Sequence, residues 1–230
     1  MNTVKGVIFD YGGTIDTNGI HWAEIIWREY RKAEVDADEE LFRETYVHGE
    51  RTLAREPIIK PDDTFFTLLE KKITIHQEYL NGRMSDKQQK AIIRGCYNKV
   101  LDTIEKARTI LSTLAQRYPM VLVTNFYGNM PVVLKEFALE EFFIKIVESS
   151  VVGIRKPDPA LFALGVEALS LPPNKIVVIG DSYKKDIFPA HTLGCQTIWL
   201  KGIGWESETP LPNALPTEII ESIEELSKML

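Results

Sequence analysis

Four segments of the chain hold residues whose types and spacing could support catalysis. They are VIFDYGGT around Asp10, PMVLVTN ending in Thr124 and Asn125, GIRKPDP around Lys156, and KIVVIGD ending in Asp181. Three of the four contain an uninterrupted apolar run, which is typical of a strand in a parallel sheet covered on both faces. Ligands of open parallel sheets bind outside the carboxyl ends of the strands. We therefore expect these polar residues to meet at one edge of a sheet, although they lie far apart in the sequence.

The predicted cluster is rich in charge. Asp10 and Asp181 would repel each other at one crevice unless a cation lay between them. Their hard oxygen ligands suit Mg²⁺ held together with waters and a substrate phosphate. Lys156 could balance the negative charge, and Asp186, five residues after Asp181, could orient Lys156 or a metal-bound water. These residues predict a Mg²⁺ site that receives a small anionic substrate.

The rest of the sequence predicts the elements that hold these residues. Further strands are expected at residues 144–150 and 196–200, and apolar residues at helical spacing predict helices at 103–118 and 158–169. The alternation of strands and helices favours an open α/β sheet with right-handed crossovers. A proline-rich loop is expected at residues 204–216, followed by a final helix at residues 222–230.

Residues 18–96 differ from the rest because they carry no strand signal. Three helices are expected there: one from Trp22 to Ala33, one from Phe65 to Leu80 with Asp62 or Asp63 as its N-cap, and one that begins at the capping box of Ser85 and Gln88. The sequence therefore predicts a Rossmann-like core made of residues 1–17 and 97–230, with an all-helical domain, residues 18–96, inserted into it.

Composition narrows the class of protein. The chain has 230 residues, 44% of them hydrophobic and 26% charged, which is ordinary for a globular protein. Its net charge of −6 disfavours a general nucleic-acid binder, because phosphate backbones select clustered lysine and arginine. Two cysteines, Cys96 and Cys195, are too few for a disulfide framework, and they fit best as small buried residues. With no visible secretory signal or membrane span, a cytoplasmic protein with no membrane partner is expected.

The motifs around Asp10, Thr124–Asn125, Lys156–Pro157 and Gly180–Asp186 occur in the order of the four signatures of the haloacid dehalogenase superfamily, which the chain resembles. The resemblance covers nearly the whole chain. The helical insertion after the first strand is similar to that family's cap of the first (C1) type. The resemblance implies a hydrolase with a Rossmann-like core and a helical cap.

For the individual residues, the resemblance implies covalent phosphoryl transfer to Asp10, which forms an aspartyl-phosphate that water hydrolyses. It implies that Asp10, the main-chain carbonyl of Gly12 and Asp181 bind Mg²⁺. The Thr124 hydroxyl and the loop amides near Tyr11, Gly12 and Asn125 would hold the phosphoryl oxygens of a small phosphorylated metabolite. Lys156 would neutralise charge between Asp10 and the phosphoryl group, with Asp186 behind it.

Gly12 departs from the family pattern, because phosphatases of the family usually carry a second Asp at this position that acts as general acid and base. Loss of such a group typically costs about 10²–10⁴-fold in rate. One hypothesis is a phosphatase that acts on a good leaving group or takes its acid from elsewhere, with His21 as the first candidate and another group of the cap as the second. Three alternatives remain: a dehalogenase-like enzyme, a phosphonate hydrolase that uses a cap lysine as a Schiff base, and a binding or regulatory protein on an impaired enzyme scaffold.

Two further expectations concern the residues that follow the Asp10 loop. Asp16 is expected to begin the linker to the cap and to be solvated. The cap lysines available to a phosphonate hydrolase are Lys32, Lys60, Lys71 and Lys72, and none of them lies in a recognisable motif.

Overall fold

A six-stranded parallel sheet forms the centre of the fold, and its inner strands are the apolar runs of the sequence. The computed structural model describes residues 4–204 and 208–230. The strands are β1 (Gly6–Phe9), β2 (Met120–Thr124), β3 (Lys145–Glu148), β4 (Ile176–Gly180), β5 (Gln196–Leu200) and β6 (Glu218–Ile220). Their spatial order is β3-β2-β1-β4-β5-β6, and every neighbouring pair is parallel. The predicted Rossmann-like α/β class is thereby confirmed.

β1 lies in the middle of the sheet and is buried along its whole length. Val7 pairs with Met120 of β2 on one side and with Val177 of β4 on the other. The chain thus turns to opposite sides of β1 in its two halves, which creates the crevice at the carboxyl ends where such sheets bind ligands.

Nine α-helices surround the sheet or lie in the insertion. They are α1 (Trp22–Lys32), α2 (Glu39–Arg55), α3 (Phe65–Tyr79), α4 (Asp86–Ala115), α5 (Met130–Glu136), α6 (Ser149–Val152), α7 (Pro159–Leu169), α8 (Phe188–Thr192) and α9 (Leu226–Met229), counted over the described residues. We call residues 18–96 the helical insertion; it contains α1, α2, α3 and the first part of α4. In the described parts of the chain, no helix is both long and apolar enough to cross a bilayer.

α4 is a single helix where the sequence predicts two. Its buried stripe runs without a break through Ile92, Cys96, Val100, Ile104 and Ala107. The segment that separates the two predicted helices contains neither glycine nor proline, so nothing in it ends the helix. The predicted boundary between residues 96 and 97 therefore falls inside a continuous helix.

Several smaller expectations also differ from the structure. The N-cap of α3 is Thr64, whose side chain accepts a hydrogen bond from the Thr67 amide, and not Asp62 or Asp63. The apolar spacing of the sequence does not predict α2, because the buried face of this helix includes Thr45 and Gly49. β6 has only three residues, and the predicted final helix consists of a 3₁₀ turn at Ile223–Glu225 followed by α9. Of the predicted loop at residues 204–216, residues 205–207 lie outside the described part of the chain.

Candidate active site

Asp10 follows β1 directly and meets Lys156 in a buried ion pair. The Lys156 Nζ donates to Asp10 Oδ1 at 2.6 Å and to Asp186 Oδ1 at 2.7 Å. Burial raises the pKa of Asp10 to about 6, against the opposing charge of Lys156. Burial also favours the neutral amine of Lys156, but the two carboxylates outweigh it and raise the pKa of the lysine. Lys156 is thus held charged between two carboxylates.

Thr14 connects the Asp10 loop to Asp181 at the end of β4. Its hydroxyl lies 3.1 Å from Asp10 Oδ2 and 3.3 Å from Asp181 Oδ1, and it accepts a hydrogen bond from the Asp181 amide at 3.0 Å. Burial, together with the nearby Asp10 carboxylate, raises the pKa of Asp181 well above its usual range. The two carboxylates are therefore close enough to destabilise each other's charge.

The carboxylates of Asp10, Asp181 and Asp186 each offer an oxygen within 4.8 Å of the other two. Such hard oxygen donors fit Mg²⁺. Gly13 lets the Asp181 carboxylate approach the loop, since a Cβ at Gly13 would overlap that carboxylate, and its φ of +94° also favours glycine. The donor set and the lack of a side chain at Gly13 are thus compatible with a divalent cation beside Asp10.

Two residues fix the backbone that presents Lys156 and Asp186. The Asn125 side chain forms a pair of hydrogen bonds with the Lys156 peptide, accepting from its amide at 2.9 Å and donating to its carbonyl at 3.2 Å. Glu208 accepts from the Tyr183 amide at 2.7 Å and from the Ser182 hydroxyl at 3.1 Å, at the start of the π-helical turn that carries Asp186. Glu208 lies in the predicted proline-rich loop, and no local sequence pattern indicates this role.

A cavity of about 410 Å³ opens at this edge of the sheet, between the core and the helical insertion. Of the candidate residues from the sequence, those that line it are Asp10, Gly12, His21, Thr124, Asn125, Lys156, Asp181 and Asp186. The Tyr11 ring is fully buried and makes edge contacts with Phe65 and Phe126. Any contribution of Tyr11 to phosphate binding would therefore come from its backbone.

Gly12 faces open space in this cavity. A Cβ at Gly12 would meet no atom within 4 Å, and its φ lies outside the left-handed region. A Cβ at this position would therefore be accommodated without backbone strain, so the absence of a side chain at Gly12 has no steric cause in the backbone.

His21 lines the cavity as the N-cap of α1. Its Nδ1 accepts from the Ala23 amide at 3.1 Å, so the neutral ring carries its proton on Nε2. Burial, with a smaller contribution from Lys185, lowers the pKa of His21 to about 4. A neutral imidazole with one nitrogen engaged in a helix cap is a poor proton donor, which weakens the hypothesis that His21 supplies the missing acid.

Asp16 is buried, and the expectation that it is solvated is wrong. Its Oδ1 accepts from the Gly13 amide at 2.7 Å, and its Oδ2 accepts from Trp22 Nε1 at 2.8 Å. Burial raises the pKa of Asp16 to about 7 despite these donors. Asp16 therefore joins the Asp10 loop to the first helix of the insertion.

The insertion contributes an ion pair to the cavity that the sequence analysis does not identify. Lys72 of α3 is buried, and its Nζ lies 2.7 Å from Glu50 Oε1 of α2. The Tyr127 hydroxyl donates to Glu50 Oε2 at 3.2 Å. Burial disfavours the charge on Lys72, but Glu50 outweighs it and raises the pKa of Lys72 well above its usual range. A lysine held in the ammonium form is unsuited to Schiff-base chemistry, which needs the free amine.

The other three lysines considered for a Schiff base have partners elsewhere and are not among the described residues that line the cavity. Lys71 pairs with Asp63, Lys32 pairs with Glu29 at 2.6 Å, and Lys60 donates to the Pro57 carbonyl at 2.9 Å. Lys72 is thus the lysine of the insertion that the fold brings to the cavity.

Comparison with known proteins gives the family. A profile of the haloacid dehalogenase-like hydrolases matches residues 4–194. The chain is 30% identical over 123 residues to haloacid dehalogenase-like hydrolase domain-containing protein 3 from Danio rerio, a match that covers 53% of this chain and 50% of that protein. It is 28% identical over 135 residues to phosphoglycolate phosphatase from Mannheimia succiniciproducens, covering 58% of this chain and 57% of that protein. The chain thus spans about half the length of these curated relatives.

A solved structure supports the fold over the full length. The HAD-hydrolase YfnB from Bacillus subtilis, crystallised with magnesium, superposes with a TM-score of 0.59 at 20% identity, covering 99% of this chain and 98% of that one. At this identity the likeness concerns the fold alone. Because the family profile covers most of the sequence, the resemblance drawn from the four motifs is confirmed, and the chain belongs to the haloacid dehalogenase-like hydrolase family.

Proposed function

We propose that the chain is a Mg²⁺-dependent phosphohydrolase that acts on a small phosphorylated metabolite through an aspartyl-phosphate on Asp10. Several relatives are named as phosphatases, among them phosphoglycolate phosphatase and glyceraldehyde 3-phosphate phosphatase from Pyrococcus furiosus. The observation that carries the proposal is the ion pair of Asp10 with Lys156, which lines the cavity together with Asp181. Phosphoryl transfer asks a protein mainly for position and for positive charge, and both are present here.

In this proposal Asp10, Asp181 and the Gly12 carbonyl would hold Mg²⁺, which when bound would neutralise negative charge on the phosphoryl oxygens. Asp10 attacks phosphorus, and the bond from phosphorus to the leaving group breaks. Lys156 supplies positive charge next to the attacking carboxylate, and Thr124 contributes a hydroxyl to the phosphoryl oxygens. Asp186 and Asn125 hold Lys156 in place through its side chain and its backbone, respectively. The helical insertion, residues 18–96, acts as the cap that covers the site.

The proton chemistry distinguishes this chain within its family. Gly12 offers no acid for the leaving group, and His21 is poorly suited to replace it. The proposed substrates are therefore those whose leaving group departs without protonation, such as acyl or aryl phosphates. Alkyl phosphates should react slowly, since loss of a general acid typically costs about 10²–10⁴-fold in rate.

Replacement of Asp10 tests the proposal directly. With Mg²⁺ present, the wild type should hydrolyse acetyl phosphate or an aryl phosphate, and Asp10→Asn should reduce turnover to background because the amide is not a nucleophile. Asp62→Asn, an exposed carboxylate of the insertion, is the matched control and should retain full activity. After an acid quench, mass spectrometry should find a phosphoryl group on the Asp10 peptide of the wild type.

Other outcomes would point to the alternatives. Equal inactivity of the wild type and Asp10→Asn across a panel of phosphate esters would favour a binding or regulatory protein. Halide release from 2-haloacids without Mg²⁺ would favour a dehalogenase. Borohydride trapping of Lys72 on an aldehyde-bearing phosphonate would favour a phosphonate hydrolase.

A further inference from the structure

The cavity wall on the side of the insertion is mainly aromatic and apolar around the pair of Glu50 and Lys72, with His21 as a further polar residue. The described aromatic and apolar residues of the insertion there include Trp22, Tyr46, Phe65, Leu68 and Leu69, and the core adds Phe126 and Tyr127. The Lys72 Nζ lies 6.0 Å from the centre of the Trp22 ring and 5.7 Å from that of the Tyr127 ring. Such a surface favours a ring over a short polar chain, because rings bury large apolar areas against aromatic side chains.

The two charges on this wall neutralise each other. The Lys72 ammonium pairs with Glu50 at 2.7 Å and is nearly inaccessible, with 7% of its side chain exposed against 34% for Glu50. Lys72 therefore has little capacity left for a carboxylate of the substrate. An additional anion on this wall would meet the negative charge of Glu50, whose side chain is partly exposed although its Oε1 is buried against Lys72, and an additional cation would meet the ammonium of Lys72.

The other charged groups among the described residues that line the cavity belong to the core. Arg155 precedes Lys156 in the sequence, Lys184 and Lys185 precede Asp186, and Glu208 binds the turn that carries Asp186. The charge of Lys185 also acts on His21 at the start of α1. His21, also in the cavity wall, is neutral because burial lowers its pKa to about 4.

We propose that the Glu50–Lys72 pair and its aromatic surround select phosphorylated compounds whose leaving group carries a ring, bears no net charge, and offers a hydroxyl or N–H to Glu50. This inference rests on the proposed function for the position of the phosphoryl group. Glu50 is held ionised by Lys72 and already accepts from Tyr127, so it can only accept further hydrogen bonds. Leaving groups with a carboxylate are disfavoured because, among the described residues of the insertion that line the cavity, the cation is Lys72 and it already pairs with Glu50.

A matched set of hydrolysis-resistant probes isolates the effect of charge. Benzylphosphonates with a para hydroxymethyl, carboxyl or aminomethyl group share the ring and the phosphonate and differ at the far end. Isothermal titration into the Mg²⁺-loaded protein should show the hydroxymethyl probe binding about tenfold or more tightly than either charged probe. 2-Hydroxyethylphosphonate, which lacks the ring, should also bind more weakly than the hydroxymethyl probe.

Variants of the pair should then reverse the preference. Glu50→Gln keeps the shape of the side chain and leaves the Lys72 charge unbalanced, so affinity for the carboxyl probe should rise about tenfold or more relative to the hydroxymethyl probe. Lys72→Met should move the relative preference towards the aminomethyl probe. Glu44→Gln, exposed on the same helix as Glu50, should change nothing. Circular dichroism verifies that each variant is folded. If Lys72→Met does not fold, Glu50→Gln alone is sufficient for the test.

The inference is overturned if the wild type prefers the carboxyl probe, binds none of the probes, or keeps its preference in Glu50→Gln. Turnover of acetyl phosphate by the wild type is measured in parallel. If the wild type hydrolyses acetyl phosphate but shows the wrong probe preference, this inference alone is wrong. If the probes bind in the expected order but no acetyl phosphate is hydrolysed, the proposed hydrolysis is wrong and the inferred binding selectivity is retained.

Discussion

Gly12 occupies the position at which the family resemblance of the sequence leads us to expect an acid–base carboxylate. The open space around it makes a direct test possible, because an introduced Cβ would meet no neighbour within 4 Å. Gly12→Asp should raise kcat/KM for alkyl phosphates, which reports departure of the leaving group, about 10²-fold or more by supplying an acid, with much less effect on acyl phosphates. The measurement is kcat/KM for one alkyl and one acyl substrate in each protein, because kcat also includes hydrolysis of the shared aspartyl-phosphate.

Gly12→Asn is the control for that prediction, since it adds the same bulk without a transferable proton. An equal gain in both variants, or an equal gain on both kinds of substrate, would show that volume or substrate binding, and not proton transfer, causes the change. A fall in turnover with Gly12→Asp would show that the native site already obtains its acid from another group.

Single residues differ in how far the sequence could predict them. Asp10, Lys156, Asp181 and Asp186 follow from the ends of recognisable strands and from loops with a distinctive composition. Glu50 could not be predicted in the same way, because its role depends on how α2 packs against α3 and on the position of Tyr127. The prediction for Asp16 is wrong for a related reason. Only the fold reveals that the Gly13 amide and Trp22 Nε1 donate hydrogen bonds to its carboxylate.

The helices of the insertion pack around a buried polar pair, His76 and Tyr30. His76 of α3 is fully buried, and its Nδ1 lies 2.8 Å from the Tyr30 hydroxyl of α1. Its Nε2 has no hydrogen-bond partner among the described residues, and a Cβ at Gly49 of α2 would lie 2.8 Å from the ring. This histidine therefore lies where three helices meet, with no room and no acceptor for a second proton.

The stability of the chain should depend on pH through His76. Burial lowers the pKa of His76 from 6.5 to about 3. The folded state thus binds fewer protons than the unfolded state between these values, and the stabilisation present above pH 6.5 is lost as the pH falls. The contribution to the free energy of unfolding is about 1.4 kcal/mol per pH unit in this range. Urea unfolding at several pH values should therefore give a shallower decline for His76→Gln than for the wild type.

His48→Gln provides the comparison for this measurement, because His48 is exposed on α2. It should change the pH dependence much less than His76→Gln does, because the charge of His48 is only a minor cause of the low pKa of His76. Identical slopes in all three proteins would mean that protonation of His76 does not contribute to acid unfolding.

At the scale of elements, the apolar pattern predicted strands better than helix boundaries. Continuous Val, Ile and Leu runs predict β1, β2 and β4, because strands buried on both faces leave no polar position. The three residues of β6 are too few for a pattern, and Ile219 is 51% exposed. The sequence predicts two helices where the structure has α4 alone. An amphipathic pattern indicates which face of a helix is buried, but it does not reveal that one helix extends from the insertion into the core.

For the molecule as a whole, the parallel sheet gathers residues from distant parts of the sequence into one acidic centre. Binding of Mg²⁺ to the folded state alone should stabilise the whole chain, by about 2.7 kcal/mol at a concentration one hundred times the Kd. Asp181→Asn should lose most of this increment because it removes a charged oxygen ligand. Urea unfolding with and without Mg²⁺ measures the increment for each protein.

Asp102→Asn, a change at an exposed carboxylate of α4, should keep the full increment. If Mg²⁺ stabilises Asp181→Asn as much as the wild type, the ion binds elsewhere and the proposed metal site is wrong. The diagnostic quantity is the gain in the free energy of unfolding on addition of Mg²⁺, and not the free energy of unfolding itself. Asp181→Asn also changes the latter, because it relieves repulsion among the three carboxylates in the absence of the ion.

The central position of β1 has a consequence for how the chain is made. Val7 is synthesised well before its partners Met120 and Val177. At about 5–20 residues per second, the nascent chain carries Asp10 for many seconds before the second edge of its strand can be covered. Asp10 is therefore translated long before it is held in position. A chain that stalls or is cleaved before β4 keeps an apolar strand with an open edge, which makes it inert as a catalyst and prone to aggregate.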